Sequence, residues 1–155
     1  MAHLYTATVR WTAEGDFASG QYSRGHDWMF DGGVTVPGSS SPAVVPPPLS
    51  REDAVDPEEA LVAALASCHM LWFLNLAQRA GFVVEAYEDH AHASMARLEA
   101  KRWWVDKVTL RPRATFAAGA APDPARLAAL HEEAHRLCYI ANSVRSEVTV
   151  EPVTD

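Results

Sequence analysis

Only two cysteines, Cys68 and Cys138, occur in 155 residues. Two thiols are too few for a disulfide-stapled scaffold, and the chain is long enough to bury a core without staples. Basic side chains are also scarce: 13 Lys and Arg against 20 Asp and Glu leave a formal net charge of −7. That balance argues against nucleic acid or an anionic membrane as a partner. No long apolar run goes uninterrupted. The stretch 60–65 is followed by Ser67, Cys68, His69 and Asn75, which reads against a membrane span. Residues 1–11 alternate and are polar, without the basic start and apolar centre of a signal peptide. The expectation is one cytoplasmic domain over 1–155, in a compartment where thiols stay reduced. There, two cysteines are either small buried hydrophobes or a redox pair.

The strongest local signal is a helix beginning at Asp56. Its carboxylate suits an N-cap, and Pro57 fits the first helical position, where a missing N–H loses nothing. Glu59 stands three residues after the cap and closes a capping box; Glu58 and Glu59 also suit the positive end of the helix dipole. Leu61, Leu65, Cys68, Trp72 and Leu76 then fall on one helical face, and Gly81 is a natural left-handed stop. Before this helix, alternation predicts strands over 4–11 and 20–30, a turn at Glu14-Gly15-Asp16, another at Gly32-Gly33 and a short strand over 34–36. The second strand places Tyr22, Arg24, His26, Trp28 and Phe30 on one face. Residues 38–55 are rich in Ser and Pro, and read as a functional loop or a packed extended arm.

After the helix, 82–95 and 103–116 read as paired strands about a polar turn at 97–101, with a bend at Pro112. Trp103 and Trp104 point to opposite faces. Asp123-Pro124 repeats the cap-then-proline start. Leu127, Leu130, Ala134 and Leu137 mark a second helix ending near Cys138, with Asn142 able to supply a left-handed residue. A last strand spans 144–152. Two main helices among mostly antiparallel strands make an α+β fold.

Three groups of residues could carry chemistry. A Cys68 that attacks must be a thiolate, and it sits too far along its helix for the dipole to help. A cation is needed, and Arg24 is the best placed, with His26 weaker. The run His131-Glu132-Glu133-Ala134-His135 fits H-E-x-x-H, in which two histidines bind zinc and the glutamate is a base. No further ligand stands at a familiar spacing, so a solvated helix face explains it as well. His90 and His92 share a strand face, but no third ligand is identifiable.

The run from Asp56-Pro57-Glu58-Glu59-Ala60-Leu61 to Ala66-Ser67-Cys68, with Cys138 and Ala141-Asn142 before a final strand, resembles the OsmC/Ohr family (osmotically inducible and organic hydroperoxide resistance proteins). The resemblance covers most of the chain. It implies an OsmC-like intertwined homodimer and a thiol peroxidase of organic hydroperoxides or hydrogen peroxide; the apolar neighbours of Cys68, Leu65, Leu71 and Trp72, favour the organic hydroperoxides. Cys68 would be the peroxidatic cysteine and Cys138 the resolving one. Glu58 would be the glutamate that orients an arginine, here Arg24, with Arg10 and Arg51 as alternatives. The usual Cys-Pro is Cys138-Tyr139 here.

Ten residues of helix put Glu58 about 15 Å from Cys68 along the axis. Glu58 is therefore expected to come from a second subunit or to act at a distance through the arginine, and a homodimer with each site at its interface is the expectation. His26, Trp72 and Leu65 are the expected substrate contacts. The resemblance implies a dithiol reductant, of lipoyl type or a small thiol, and neither metal nor organic cofactor. The competing expectations are a zinc hydrolase using His131, Glu132 and His135, and a non-catalytic dimer that binds an apolar ligand over Cys68.

Overall fold

The computed structural model describes residues 3–153. Its elements form two compact units, Met1–Ala60 and Leu61–Asp155. Among the described residues, five of the six strand pairings are antiparallel, as the α+β reading expects.

In the first unit, β1 (Ala7–Arg10), β4 (His26–Phe30) and β5 (Thr35–Gly38) form a sheet in the order β1-β4-β5. Beside it, β2 (Gly15–Asp16) pairs with β3 (Gln21–Tyr22). The turn expected at Glu14-Gly15-Asp16 is thus a strand pairing, and the reversal lies at 17–20, where Gly20 has φ 81° and its N–H reaches Phe17 O. The single strand expected over 20–30 is broken at 23–25. Competing acceptors take its N–H groups: Ser23 donates to Glu14 O and Arg24 to Leu49 O, each at 2.8 Å. The Ser- and Pro-rich stretch is a packed arm, because Ser39 N–H donates to Val55 O and Val55 N–H to Pro37 O. Gly38 faces His26 across the sheet, and a side chain there would run into the His26 ring and the Trp28 indole.

α1 (Pro57–Arg79) starts as its sequence dictates. Glu59 N–H donates to Asp56 Oδ1 at 2.8 Å, and Asp56 N–H donates to Glu59 Oε2 at 3.1 Å. It stops at Gly81, with φ 83° and the Phe82 N–H folded back to Ala77 O. By length and composition α1 could cross a membrane, yet it supplies the core of the second unit. The buried residues are Leu65, His69, Phe73 and Ala77. The predicted stripe through Cys68 and Trp72 is the half-buried flank of that face. Apolar residues surround this helix on several sides, so periodicity alone misplaced its centre.

In the second unit, β6 (Val84–Asp89) pairs with β9 (Pro112–Phe116), and β7 (His92–Glu99) with β8 (Arg102–Leu110). Each long predicted strand is therefore two, with breaks at His90-Ala91 and at Arg111 before Pro112. Lys101 takes the left-handed turn position, φ 65°. Trp103 is exposed, whereas Trp104 is half-buried beneath the Arg145 guanidinium. α2 (Pro124–Leu137) is capped by Asp123, whose carboxylate accepts from Arg126 N–H at 2.8 Å. A 3₁₀ turn (Ala141–Ser143) leads to β10 (Glu147–Val150), which pairs parallel with β8. A parallel partner needs a crossover, and α2 provides it. Asn142 is not left-handed; it lies in the 3₁₀ turn. Two apolar clusters fill the unit, one around Phe73, Ala77, Leu130 and Ala134 and one around Leu65, Val108 and Leu110.

Candidate functional site

Cys68 is half-buried on the flank of α1 and opens onto a cleft of about 410 Å³. Leu71, Trp72, Asn75 and Arg79 continue along the same face, and Tyr139 closes the opposite side. Trp72 and Tyr139 meet edge to face, with ring centroids 5.6 Å apart. Most of this wall is apolar and suits a greasy ligand.

Cys138 is buried at the C-cap of α2. Its N–H donates to His135 O at 3.2 Å, and its sulfur accepts from Ala141 N–H at 3.4 Å. The Asn142 amide donates to Arg136 O and Cys138 O, both at 2.9 Å, so it secures the turn through its side chain. Burial pushes the Cys138 thiol up to about 11, with a further rise from the neighbouring Cys68. Both cysteines are free of disulfides in this structure. Two residues 70 apart in sequence thus lie near enough to influence one another, one on a cleft and one buried.

In the first unit, Arg24 and His26 line a separate cleft of about 410 Å³ with Trp11, Phe17 and Tyr22. The Arg24 guanidinium lies 3.7 Å over the Tyr22 ring and donates to Gly20 O and Tyr22 O. His26 Nδ1 is 2.8 Å from Arg24 O. Arg51 is held by Asp53 at 3.0 and 3.1 Å, and Arg10 is exposed on β1. Glu58 is half-buried in the first turn of α1, and its carboxylate makes no hydrogen bond among the described residues.

Leu65 does not reach the Cys68 cleft. It is fully buried against Val108 and Leu110, because its position on α1 faces the core. The H-E-x-x-H run departs from its expected solvated face as well: His131 is buried. One side of that ring is occupied, since His131 Nδ1 lies 3.0 Å from His69 Nε2. Burial pushes His69 down to about 3 and His131 to about 4. Among the described residues no three His, Cys, Asp or Glu side chains could hold a metal ion. His90 and His92 are exposed, and His90 sits 3.4 Å from the Glu88 carboxylate. Sequence reasoning missed His69, Asn75, Arg79 and Tyr139. Asn75 and Arg79 were legible as positions seven and eleven beyond Cys68 on one helix; His69 and Tyr139 carried no such signal.

The sequence matches the family described as OsmC-like protein over residues 50–153. The chain belongs to the OsmC-like family. The family match includes Glu58, Cys68 and Cys138, and it begins after Arg24 and His26. An OsmC-like protein of unknown function from Vibrio cholerae is 44% identical, with a TM-score of 0.94 over 98% of this chain and 100% of that one. Lower identities accompany the same fold in two organic hydroperoxide resistance proteins. The one from Elizabethkingia anophelis is 18% identical, with a TM-score of 0.71 over the full length of both chains. OhrB of Bacillus subtilis is 20% identical, with a TM-score of 0.66 over 97% of this chain and 100% of its own. A search of curated proteins gives no match.

Proposed function

We propose that this OsmC-like protein is a two-cysteine peroxidase of organic hydroperoxides. The observation that carries the reading is the pairing of Cys68, on an apolar cleft, with the sealed sulfur of Cys138. The Cys68 thiolate attacks the outer oxygen of a hydroperoxide. The O–O bond breaks, Cys68 becomes a sulfenic acid, and the alkoxide takes a proton to leave as an alcohol. The Cys138 thiol then attacks the sulfenic sulfur; a disulfide forms and the oxygen departs as water. An external dithiol, of lipoyl type or a small thiol, restores both cysteines. Trp72 and Tyr139 supply an apolar wall that favours organic hydroperoxides over hydrogen peroxide.

The reading includes a homodimer of OsmC-like domains in the cytoplasm, each chain one domain. A second copy brings Arg24 to the Cys68 cleft, oriented by Glu58. Two observations support it. Val9, Phe17, Val34 and Val44 of the first unit are more than half exposed, an apolar surface that a partner would cover. Among the described residues, the Cys68 cleft is lined by one cation, Arg79, at its far end.

Free thiols and intact mass, measured before and after one equivalent of cumene hydroperoxide, test the chemistry. Wild type loses both thiols and the mass of two hydrogens; Cys138→Ser traps an oxidised Cys68; Cys68→Ser does not react. A wild type that keeps both thiols refutes the peroxidase. If it still binds an apolar ligand at the cleft, a non-catalytic binding protein takes its place. Sedimentation of an active monomer would refute the dimer.

A further inference from the structure

The core of the second unit holds a polar pair where apolar side chains would pack. His69 and His131 are coplanar within 2°, their facing nitrogens are 3.0 Å apart, and they are 0% and 3% exposed. Phe73 stacks on His131 at 4.3 Å, and Leu130 and Ala134 flank it on α2. The remaining nitrogen of His69, Nδ1, is buried without a partner, as is His135 Nδ1 one turn along α2. The other titratable groups around the pair are Glu132, which shares a shallow cleft with His131 and His135, and Tyr87 on β6, packed on Phe73 with Asp89 beside it. Burying imidazoles with an unpaired nitrogen costs free energy that leucines would not. What the polar pair adds is direction. Apolar contacts tolerate rotation of one helix against another, whereas a hydrogen bond does not.

That direction bears on the cysteines. His69 follows Cys68 directly on α1, and His131 lies two turns before Cys138 on α2. A rotation or slide of either helix that parts the two imidazoles also parts the two sulfurs. We propose that the His69–His131 pair is a positioning device that sets the register of α1 against α2 and holds Cys138 within reach of Cys68 for disulfide closure. The proposal rests on the two-cysteine reading above.

The test is the thiol–disulfide equilibrium of the full-length protein with dithiothreitol. In it the Cys68–Cys138 bond is reduced to two thiols as dithiothreitol closes to its cyclic disulfide. The equilibrium reports how closely the folded protein holds its two sulfurs. His131→Leu is expected to shift it about tenfold towards the dithiol, the scale of one buried hydrogen bond. His131→Asn, whose amide can donate or accept in the place of Nδ1, is expected to recover most of that shift; a nonspecific packing defect would gain nothing from it. Should His131→Leu fail to fold, His69→Leu/His131→Leu leaves no unpaired imidazole and carries the comparison. A folded leucine variant whose equilibrium stays within about twofold of wild type overturns the proposal. No hydroperoxide enters this measurement. A chain inert to cumene hydroperoxide would therefore remove the peroxidase reading, while the dithiothreitol equilibrium still decides the role of the histidines.

Discussion

Acid should unfold this protein through its two core histidines. Burial holds His69 down at about 3 and His131 at about 4, whereas a histidine of the unfolded chain binds its proton near 6.5. Below pH 6.5 the unfolded state therefore takes up protons that the folded state refuses. The folded state carries no protonation penalty above about 6.5 and loses stability as pH falls towards 4, where His131 begins to titrate in the folded state. At about 1.4 kcal/mol per pH unit and per proton, that interval removes roughly 3 kcal/mol for one histidine and up to twice that for both. A domain is stable by about 5–15 kcal/mol, so the loss is a large share. Urea unfolding followed by tryptophan fluorescence, in steps from about pH 7.5 to pH 4.5, measures it. His69→Leu/His131→Leu is the control, and its stability should be nearly flat over the same range. Asp89, whose carboxyl is raised by burial, opposes the trend, but it is present in both proteins and cancels in the difference. A wild-type stability that is level between pH 6.5 and 4.5, or a double variant with an undiminished slope, rules out the two histidines as the cause.

Other outcomes follow from single side chains. Asp56→Ala removes one arm of the capping box on α1 and should cost about 1 kcal/mol, read as a lower thermal midpoint. Phe73→Ala empties a fully buried site between α1 and α2 and should cost about 3–5 kcal/mol in urea unfolding. Gly38→Ala forces a methyl group against the His26 ring and the Trp28 indole and should cost about 1–3 kcal/mol, while Gly32→Ala, which meets open space, should cost less. Tyr139→Ala opens the aromatic wall of the Cys68 cleft and should raise KM for cumene hydroperoxide by about threefold to tenfold, with little change for hydrogen peroxide.

Features that act across short separations could be read directly from the order of residues. The start of α1 at Asp56-Pro57 with Glu59, its stop at Gly81 and the cap of α2 at Asp123 each depend on residues within a turn of one another, so a local reading sufficed. The family was legible for the same reason: its marks are a capped helix start and a cysteine at fixed spacing on that helix. Tertiary structure decided whatever depends on contacts between distant residues. The strand expected over 20–30 broke because Glu14 O and Leu49 O compete for its N–H groups. Leu65 lies in the core rather than the cleft, and β10 pairs with β8 in parallel, because of how α1 packs and how α2 crosses over. The meeting of Cys68 with Cys138, and of His69 with His131, spans 70 and 62 residues. No periodicity encodes such meetings. They are set by helix packing, where the free energy of burying a whole apolar face outweighs the preference of any one side chain.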